Sequence, residues 1–479
     1  MSDLQSSVDS PKQSAAEQRL ATPEGRREFV RATLSCWLGT TMEYVDFALY
    51  GLAAGLVFGD VFFPGKTYTI ALLYSFTTYS VGFVARPIGA IFFGRLGDLK
   101  GRKFVLVTTI ALMGISTTLI GFIPSYATIG IWAPVLLVVL RFMQGFGAGA
   151  ELSGATVMLG EYAPPKHRGL IASIIGIGSN SGTLVASAVW LLVLMLDKED
   201  VASWGWRIPF ILSALIALAA TLIRRHVRET PVFEQEQNEV KQFQVQKTEI
   251  SVSQVNETDE SISFLARVKA FLARNKAFLA CNKAFFVMLG LRIGENGPSY
   301  LAQTFVIGYV VESLKVNKTV TTSAVFVASL LGFFVIPFAG WLSDRFGRRI
   351  VYRWFCFLLM LYAVPAYMFL ETRDPFIVAS IIIIGMCLAS LGIFGVQAAY
   401  GVELFGVRNR YSKMALAKEL GGIMSGGIAP LVAALLLGYY KTWWPIAIYF
   451  AAMAGIGFIT TFYAPETRGR DLNAVEDAI

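Results

Sequence analysis

Charged residues, histidines and cysteines are all scarce in this 479-residue sequence. Only 15% of the residues are charged, whereas a soluble domain usually has about 25%. The shortage extends along the whole chain, which excludes an ordinary soluble protein and predicts lipid as the main surroundings. The two histidines, His167 and His226, lie in polar segments far from other ligand types, so we expect no metal site.

The remaining absences exclude several further classes of protein. The four cysteines show no paired spacing, so we expect reduced packing residues and no disulfide framework. Glycine-rich stretches such as Gly145 to Gly149 follow no strand and carry no Walker lysine, so they predict close helix packing and no nucleotide site. No nucleophile has a base beside it. We therefore expect neither an enzyme nor a bound cofactor.

Long apolar runs are what the sequence does contain. Hydrophobic residues make up 55% of the chain and the mean hydropathy is +0.58. A membrane-spanning helix needs about 20 apolar residues, and twelve runs are long enough. They are continuous and do not alternate, which excludes an outer-membrane barrel. The prediction is an all-α membrane protein with twelve transmembrane helices, near 32–57, 67–97, 103–123, 129–159, 169–196, 206–223, 284–311, 319–342, 349–370, 375–402, 411–437 and 443–464.

Basic loops predict the orientation in the membrane. An even number of spans puts both termini on one side, and the loops on that side contain Lys100–Lys103, Lys166–Arg168, Arg345–Arg349 and Arg408–Arg410. Basic loops remain cytoplasmic, so we expect both termini in the cytoplasm and the chain in the inner membrane. The same rule accounts for the net charge of +8 without any nucleic-acid partner.

The expected domains follow from the runs and from one polar stretch. We predict a cytoplasmic tail at 1–31, a six-helix bundle at 32–223, a cytoplasmic linker at 224–283, a second bundle at 284–464 and a cytoplasmic tail at 465–479. The end of the linker repeats Lys-Ala-Phe-Leu-Ala every seven residues. Two interpretations remain open, a basic amphipathic helix on the inner leaflet or an extension of the seventh span.

An internal repeat relates the two bundles. GRLGDLKGRK at 94–103 is matched by GWLSDRFGRR at 340–349, and Asp344 follows Asp98 by 246 positions. A Glu-to-Arg spacing of seven recurs after the fourth and tenth spans, where Glu403 follows Glu161 by 242 positions. Paired charges at these loops are able to latch helices on the cytoplasmic side. The predicted gate consists of Asp98, Arg102, Glu161, Arg168, Asp344, Arg348, Glu403 and Arg410.

These stretches resemble the major facilitator superfamily, and more narrowly its metabolite:proton symporter family of shikimate, α-ketoglutarate, citrate and proline/betaine permeases. The matching segments are EYVDFALYG (43–51), VFFP (61–64), FVARPIGAIFFGRLGD (83–98), RFMQGFGAGAE (141–151), EYAPPKHRG (161–169), SWGWRIPF (203–210) and PETRG (465–469). The resemblance implies proton-driven import of a small, often carboxylated metabolite by alternating access.

Ionisable residues within the spans are the candidates for coupling, since each costs about 2.5 to 3.5 kcal/mol to insert. Asp46 in the first span and Arg141 in the fourth match a pair found in sugar–proton symporters of the superfamily. The resemblance implies an ion pair that protonation of Asp46 would release, and a static buried pair is the alternative. Glu151, in the middle of the fourth span, is the second predicted proton site or else a structural group.

A second set of embedded polar residues is predicted to bind the substrate. Arg86 is able to hold a carboxylate with two hydrogen bonds, and Glu43 is expected to partner a cation. The full set is Glu43, Tyr50, Arg86, Arg292, Glu295, Asn296, Tyr300, Gln303 and Gln397. The arginines favour an anion, and the carboxylates are equally compatible with a zwitterion. The adjacent Lys418 and Glu419 either line the cavity or pair locally.

Three functions are compatible with this pattern. The first is proton-coupled symport of a small metabolite, with the lipid bilayer as the surroundings. An uncoupled facilitator would lose only the role of Asp46, and a non-transporting receptor would use the same charges for binding. Because one chain encloses the predicted site, we expect it to function as a monomer.

Overall fold

The computed structural model describes most of the chain, and the statements below concern those residues: 21–100, 102–149, 151–225, 282–406, 410–472, 474 and 476–479. Residues 226–281 of the linker predicted at 224–283, with its first two heptads, lie outside the described part. Its two ends are helical, since α6 ends at Arg225 and α7 begins at Lys283. The described residues are almost entirely helical and form no strand, which confirms the all-α prediction.

Twelve helical rods correspond to the twelve apolar runs. They are α1 (Pro23–Leu56), α2 (Tyr68–Lys100), α3 (Arg102–Ile120), α4 (Trp132–Ala148, then Glu151–Tyr162), α5 (Arg168–Ala172, then Ile174–Val193), α6 (Ile208–Arg225), α7 (Lys283–Tyr300, extended to 313), α8 (Lys318–Phe346), α9 (Arg348–Leu370), α10 (Pro375–Met386, extended to Leu404), α11 (Arg410–Gly421, extended to Tyr440) and α12 (Trp444–Tyr463). Short helices occupy Phe58–Phe62, Tyr126–Ile129 and Lys198–Ser203.

Eight of the described helices are long and apolar enough to cross a membrane by composition alone. Two more, α3 and α6, contain the shorter apolar stretches Val107–Ile120 and Gly205–Ala219. The other two, α1 and α7, are less apolar because each has buried charges in its middle. These two helices are therefore long enough to span a membrane and also carry charged side chains in their middle, which makes those side chains candidates for function.

Local sequence signals account for where several helices begin. Thr22 caps α1 by accepting a hydrogen bond from the amide of Gly25 at 3.1 Å, and Pro23 follows at the first helical position. Residues 23–31 of the predicted tail are therefore helical. Asp374 caps α10 through the amides of Phe376 and Ile377 in the same way.

Gly347 forms the tight turn between α8 and α9, since its φ of 101° is readily adopted only by glycine.

The rods form two bundles, α1–α6 and α7–α12, that meet along two seams. Helix α5 packs on α8 at one seam, and α2 packs on α11 at the other. Within the first bundle α1 packs most closely on α5, and within the second α7 packs on α12. The site described below lies between these seams.

Glycines permit the closest helix contacts, as the sequence analysis expected. A Cβ at Gly145 of α4 would lie 2.7 Å from the carbonyl carbon of Gly82 on α2. One at Gly178 of α5 would lie 2.8 Å from the carbonyl oxygen of Trp37 on α1. Helices in membranes associate through such small residues because lipid supplies no hydrophobic driving force between them.

Segments with π-helical turns interrupt only helices of the second bundle within the described part. They lie in α7 (Leu301–Phe305 and Tyr309–Ser313), α10 (Cys387–Ile393) and α11 (Gly422–Gly427). Such turns frequently mark functional sites because the extra residue loosens the regular hydrogen-bond ladder. All three helices border the centre of the molecule.

The close contact at Gly145 generates a stability prediction. Alanine is normally favoured over glycine in a helix by about 1 kcal/mol, but overpacking costs about 1 to 3 kcal/mol. We therefore expect Gly145→Ala to lower the Tm of the purified protein in detergent. Gly455→Ala is the matched control, because its nearest contact beyond the helix would be Met360 Cε at 3.9 Å. Equal Tm values for the two variants would contradict this packing.

Candidate functional site

A small polar cavity lies between the two bundles. Its volume is about 20 Å³, enough for about one water molecule, so the bundles are closed around it. Helices α1, α5, α7 and α10 contribute its walls. The lining residues are Tyr44, Ser179, Asn180, Thr183, Glu295, Asn296, Ser299, Tyr300, Gln303, Met386, Ser390, Leu391 and Phe394.

Four predicted substrate residues line this cavity, all from the polar face of α7: Glu295, Asn296, Tyr300 and Gln303. Three polar atoms in its walls have no hydrogen-bond partner among the described residues, namely Asn180 Oδ1, Asn296 Nδ2 and Ser390 Oγ. Buried polar atoms are normally paired, so unpartnered ones in a cavity wall are suited to binding a polar ligand.

Arg86 of α2 is the centre of an ion cluster that joins the two bundles. Its Nε donates to Oε2 of Glu419 at 2.6 Å and its Nη2 to Oε1 of the same residue at 3.2 Å. Nη2 also donates to Oε1 of Glu43 on α1 at 2.7 Å. We call these three residues the Arg86 cluster; each side chain is at most 7% exposed. Glu43 thus partners a cation, as expected from the sequence.

The carboxylate that Arg86 holds with two bonds belongs to the protein itself. Glu419 was not among the predicted site residues, although two adjacent charges in an apolar run, Lys418 and Glu419, were a visible signal. The alternative of local pairing is wrong for Glu419, because its partner lies on the other bundle. Lys418 is also buried, and its ammonium forms no ion pair with any carboxylate in the part of the chain described.

Arg292 organises a second buried cluster on α7. Its Nη1 donates to Oε2 of Glu295 at 2.5 Å and to Oε1 of Gln397 on α10 at 3.0 Å. Gln397 in turn donates to the hydroxyl of Tyr352 on α9 at 3.2 Å. The Nε of Arg292 has no partner among the described residues. Arg292 and Gln397, both predicted to bind the substrate, therefore belong to one hydrogen-bonded network beside the cavity.

The predicted ion pair between Asp46 and Arg141 is not formed in this structure. Both residues are fully buried, but no N–O distance between them is within 4.0 Å. The guanidinium of Arg141 instead lies 4.2 to 4.8 Å from the ring centres of Phe47, Tyr50 and Tyr79. It also donates to Gln144 on its own helix. Stacking on three rings offsets the loss of water around the cation.

The two carboxylates expected to carry protons are placed differently. Neither oxygen of Asp46 accepts a hydrogen bond from any residue that the structure describes. Glu151 is buried at the start of the second part of α4, close enough to Glu43 for repulsion between the two carboxylates.

Tyr50, predicted to bind substrate, does not line the cavity. Its hydroxyl donates to Thr78 Oγ1 at 2.7 Å and its ring lies against Arg141. The physical reason is that its face of α1 packs into the first bundle, where the cation attracts the ring.

Charged residues also join the bundles at the end that carries the basic loops, which we call the basic end. Glu403 of α10 accepts from Arg168 of α5 at 2.9 Å and from Arg348 of α9 at 2.9 Å. Arg348 also donates to Asp344 at 2.7 Å, and Asp344 accepts from the amide of Gly169 at 2.8 Å. Predicted gate residues of one bundle thus contact those of the other.

The remaining predicted gate residues are only partly placed. Arg410 donates to the carbonyl oxygens of Phe405, at 3.2 Å, and of Leu472. The side chains of Asp98, Arg102 and Glu161 lie outside the described part of the chain.

The segment after α12 takes part in the basic end, which the sequence analysis did not predict. Glu466 accepts from the amides of Arg348 at 2.8 Å and Arg349 at 3.1 Å, at the start of α9. Thr467 donates to Glu403 at 3.0 Å, and the carbonyl of Arg470 accepts from Arg168 at 2.9 Å. The PETRG stretch (465–469) was the available signal.

The opposite side of the cavity is closed as well, by hydrogen bonds to backbone carbonyls. Lys318 of α8 donates to the carbonyl of Leu56 on α1 at 2.5 Å. Ser80 of α2 donates to the carbonyl of Gly427 on α11 at 2.5 Å. With both ends in contact around a small cavity, the structure is an occluded conformation.

Glu403 provides a test of the basic end. Its replacement by Gln leaves Arg168 and Arg348 buried without their carboxylate, which costs about 3 to 5 kcal/mol. We expect Glu403→Gln to lower the Tm in detergent clearly. Lys413→Gln is the control, since it breaks the partly exposed pair with Asp477, worth about 1 kcal/mol or less. A Tm loss no larger than that of the control would show that the Glu403 contacts do not hold the bundles together.

Comparisons with known proteins agree with this architecture. A family model described as "Sugar (and other) transporter" matches residues 32–478. The putative transporter YdfJ of Escherichia coli K12 is 41% identical over 91% of this chain and 96% of its own length. The shikimate transporter of the same strain is 33% identical, covering 91% and 95% of the two chains. The proline/betaine transporter of Salmonella typhimurium is 33% identical, covering 94% and 86%.

Solved structures show the same fold at low identity. The proton:xylose symporter XylE of the major facilitator superfamily, bound to 6-bromo-6-deoxy-D-glucose, superimposes with a TM-score of 0.67 at 16% identity. The match covers 94% of this chain and 98% of that one. At this identity the likeness concerns the fold alone.

Proposed function

The chain belongs to the sugar (and other) transporter family of the major facilitator superfamily, a family of multi-pass membrane transporters and not of enzymes, and we propose that it imports a small carboxylated or zwitterionic metabolite together with protons. The observation that carries the proton coupling is Asp46, a buried carboxylate neither of whose oxygens has a hydrogen-bond partner among the described residues.

The substrate class follows from the charges in the core. Four cations, Arg86, Arg141, Arg292 and Lys418, are buried between or beside the bundles and favour a carboxylate on the substrate. The buried carboxylates, Glu43 and Glu295 among them, suit the cationic group of a zwitterion. Relatives named as shikimate and proline/betaine transporters span both possibilities.

Asp46 is proposed to carry a proton in the occluded conformation. A buried carboxylate without a partner is too costly to remain ionised, so it binds a proton instead. When the bundles reopen, Arg141 lies close enough to become its partner, which favours release of the proton. Glu151, buried in the fourth span, is the second proposed proton site.

Transport is proposed to proceed by alternating access. The basic end faces the cytoplasm with both termini, as the positive-inside rule predicts. Breaking the contacts of Glu403 with Arg168 would open the cavity to the cytoplasm, and breaking those of Lys318 and Ser80 would open it to the other side. One chain contains the whole path, so the proposed functional unit is a monomer.

Uptake by proteoliposomes with an inside-alkaline pH gradient tests this function. Shikimate, proline and betaine form the solute panel. We expect the wild-type protein to accumulate one of them above equilibrium, and Asp46→Asn to equilibrate it without accumulation, since an amide carries no exchangeable acidic proton.

Asp60→Asn is the matched control, because Asp60 is exposed at the opposite end, and we expect it to retain accumulation. Wild-type uptake that ignores the gradient would identify an uncoupled facilitator. Binding without any uptake would favour a receptor.

A further inference from the structure

Arg86 holds the carboxylate of Glu419 with the geometry that the carboxylate of a bound ligand would have. We call this pair of hydrogen bonds the fork. A guanidinium and a carboxylate share two hydrogen bonds, 2.6 and 3.2 Å long, across the seam between α2 and α11. Any free carboxylate would meet Arg86 in the same planar arrangement. Arg86 is therefore a carboxylate site whose occupant in the occluded conformation is the side chain of Glu419.

The surroundings determine what happens when another carboxylate takes that place. The titratable groups of the core whose charges act on Glu419 or on its partners come from five helices: Glu43 and Tyr44 (α1), Arg86 (α2), Glu151 (α4), Arg292, Glu295 and Tyr300 (α7) and Lys418 (α11). Glu43 keeps its bond to Arg86 Nη2, and Arg292 is paired with Glu295. A Glu419 displaced from Arg86 is left without a fork partner in a core that holds the carboxylates of Glu43 and Glu295, both already bound to arginines, and the ammonium of Lys418.

We propose that the carboxylate of the substrate displaces Glu419 from Arg86 and that the released Glu419 side chain takes up a proton. This inference rests on the proposed function and deepens it. Charge and atoms balance in this step. One carboxylate enters the site, one proton binds an oxygen of Glu419, and no covalent bond other than that O–H forms. The core charge is unchanged, which avoids the cost of burying a net charge.

The displacement also weakens the connection between the bundles. The Arg86–Glu419 fork joins α2 to α11, so its exchange for a substrate that is not attached to α11 removes an ionic link at the seam. Substrate binding, proton uptake and release of the seam thereby become one event.

Proton counting on the purified full-length protein in detergent tests the proposal. Titration calorimetry in two buffers with different ionisation enthalpies measures the protons taken up when shikimate or betaine binds. Choline, which resembles betaine without a carboxylate, is the ligand control. We expect the wild-type protein to take up about one proton per bound carboxylate, and choline to cause no uptake.

The key variant is Glu419→Gln, which retains the shape of the side chain and removes its charge. We expect it to lose the proton uptake and to bind the carboxylate roughly tenfold more tightly, because the internal competitor is gone. Glu419→Asp retains a carboxylate and should retain the uptake, which separates the role of the charge from a folding defect. Glu312→Gln is the charge-matched control, since its carboxylate lies outside the core in a partly exposed pair with Lys315, and it should also retain the uptake.

Other outcomes would overturn the proposal. Unchanged proton uptake in Glu419→Gln would show that the Arg86–Glu419 fork is a fixed structural pair. Failure of shikimate and betaine to bind even this variant would show the same. Failure of the proposed function looks different. In that case the wild type accumulates no solute in proteoliposomes, or Asp46→Asn still accumulates it, whatever the proton count at Glu419.

Discussion

An arginine buried between two helical bundles must find carboxylates, because a desolvated and unpaired guanidinium would be too costly to keep. Arg86 meets this requirement with Glu43 from its own bundle and Glu419 from the other. The same constraint places Glu295 and Gln397 around Arg292, and aromatic rings around Arg141. The positions of the core helices depend on these pairings, since each pair forms only when the two helices are rotated so that the partner side chains face one another.

The two ends of the molecule use different chemistry for closure. At the basic end Glu403 is shared by arginines of both bundles, and the segment after α12 adds Glu466 and Thr467 to the same network. At the opposite end the contacts are hydrogen bonds to backbone carbonyls. A guanidinium held by both oxygens of a carboxylate, as Arg348 is by Glu403, is bound more strongly than an ammonium or hydroxyl that donates to one carbonyl. The basic end is therefore the more firmly latched one in the occluded conformation.

The bundles also differ in their capacity to rearrange. Backbones approach too closely for any side chain in both bundles, at Gly145 on Gly82 in the first and at Gly294 on Gly457 in the second. The second bundle has π-helical turns in α7, α10 and α11, next to the cavity and to the Arg86 cluster. Helices with such turns are able to shift locally. Local change in α7 and α10 is consistent with a cavity whose walls come largely from these two helices.

The sequence by itself determined the twelve helices, the two related halves and the buried charged residues, because hydropathy, spacing and repeated loop motifs are properties of the linear chain. Its prediction of one polar face on α7 agreed with the structure for the same reason, since helical spacing places Glu295, Asn296, Tyr300 and Gln303 together. Only the tertiary structure decided the partners. Arg141 lies against aromatic rings and not on Asp46, and Arg86 holds Glu419 across the seam. Partner choice depends on how each helix is rotated and on which bundle faces it, and neither is encoded in the spacing along a single helix.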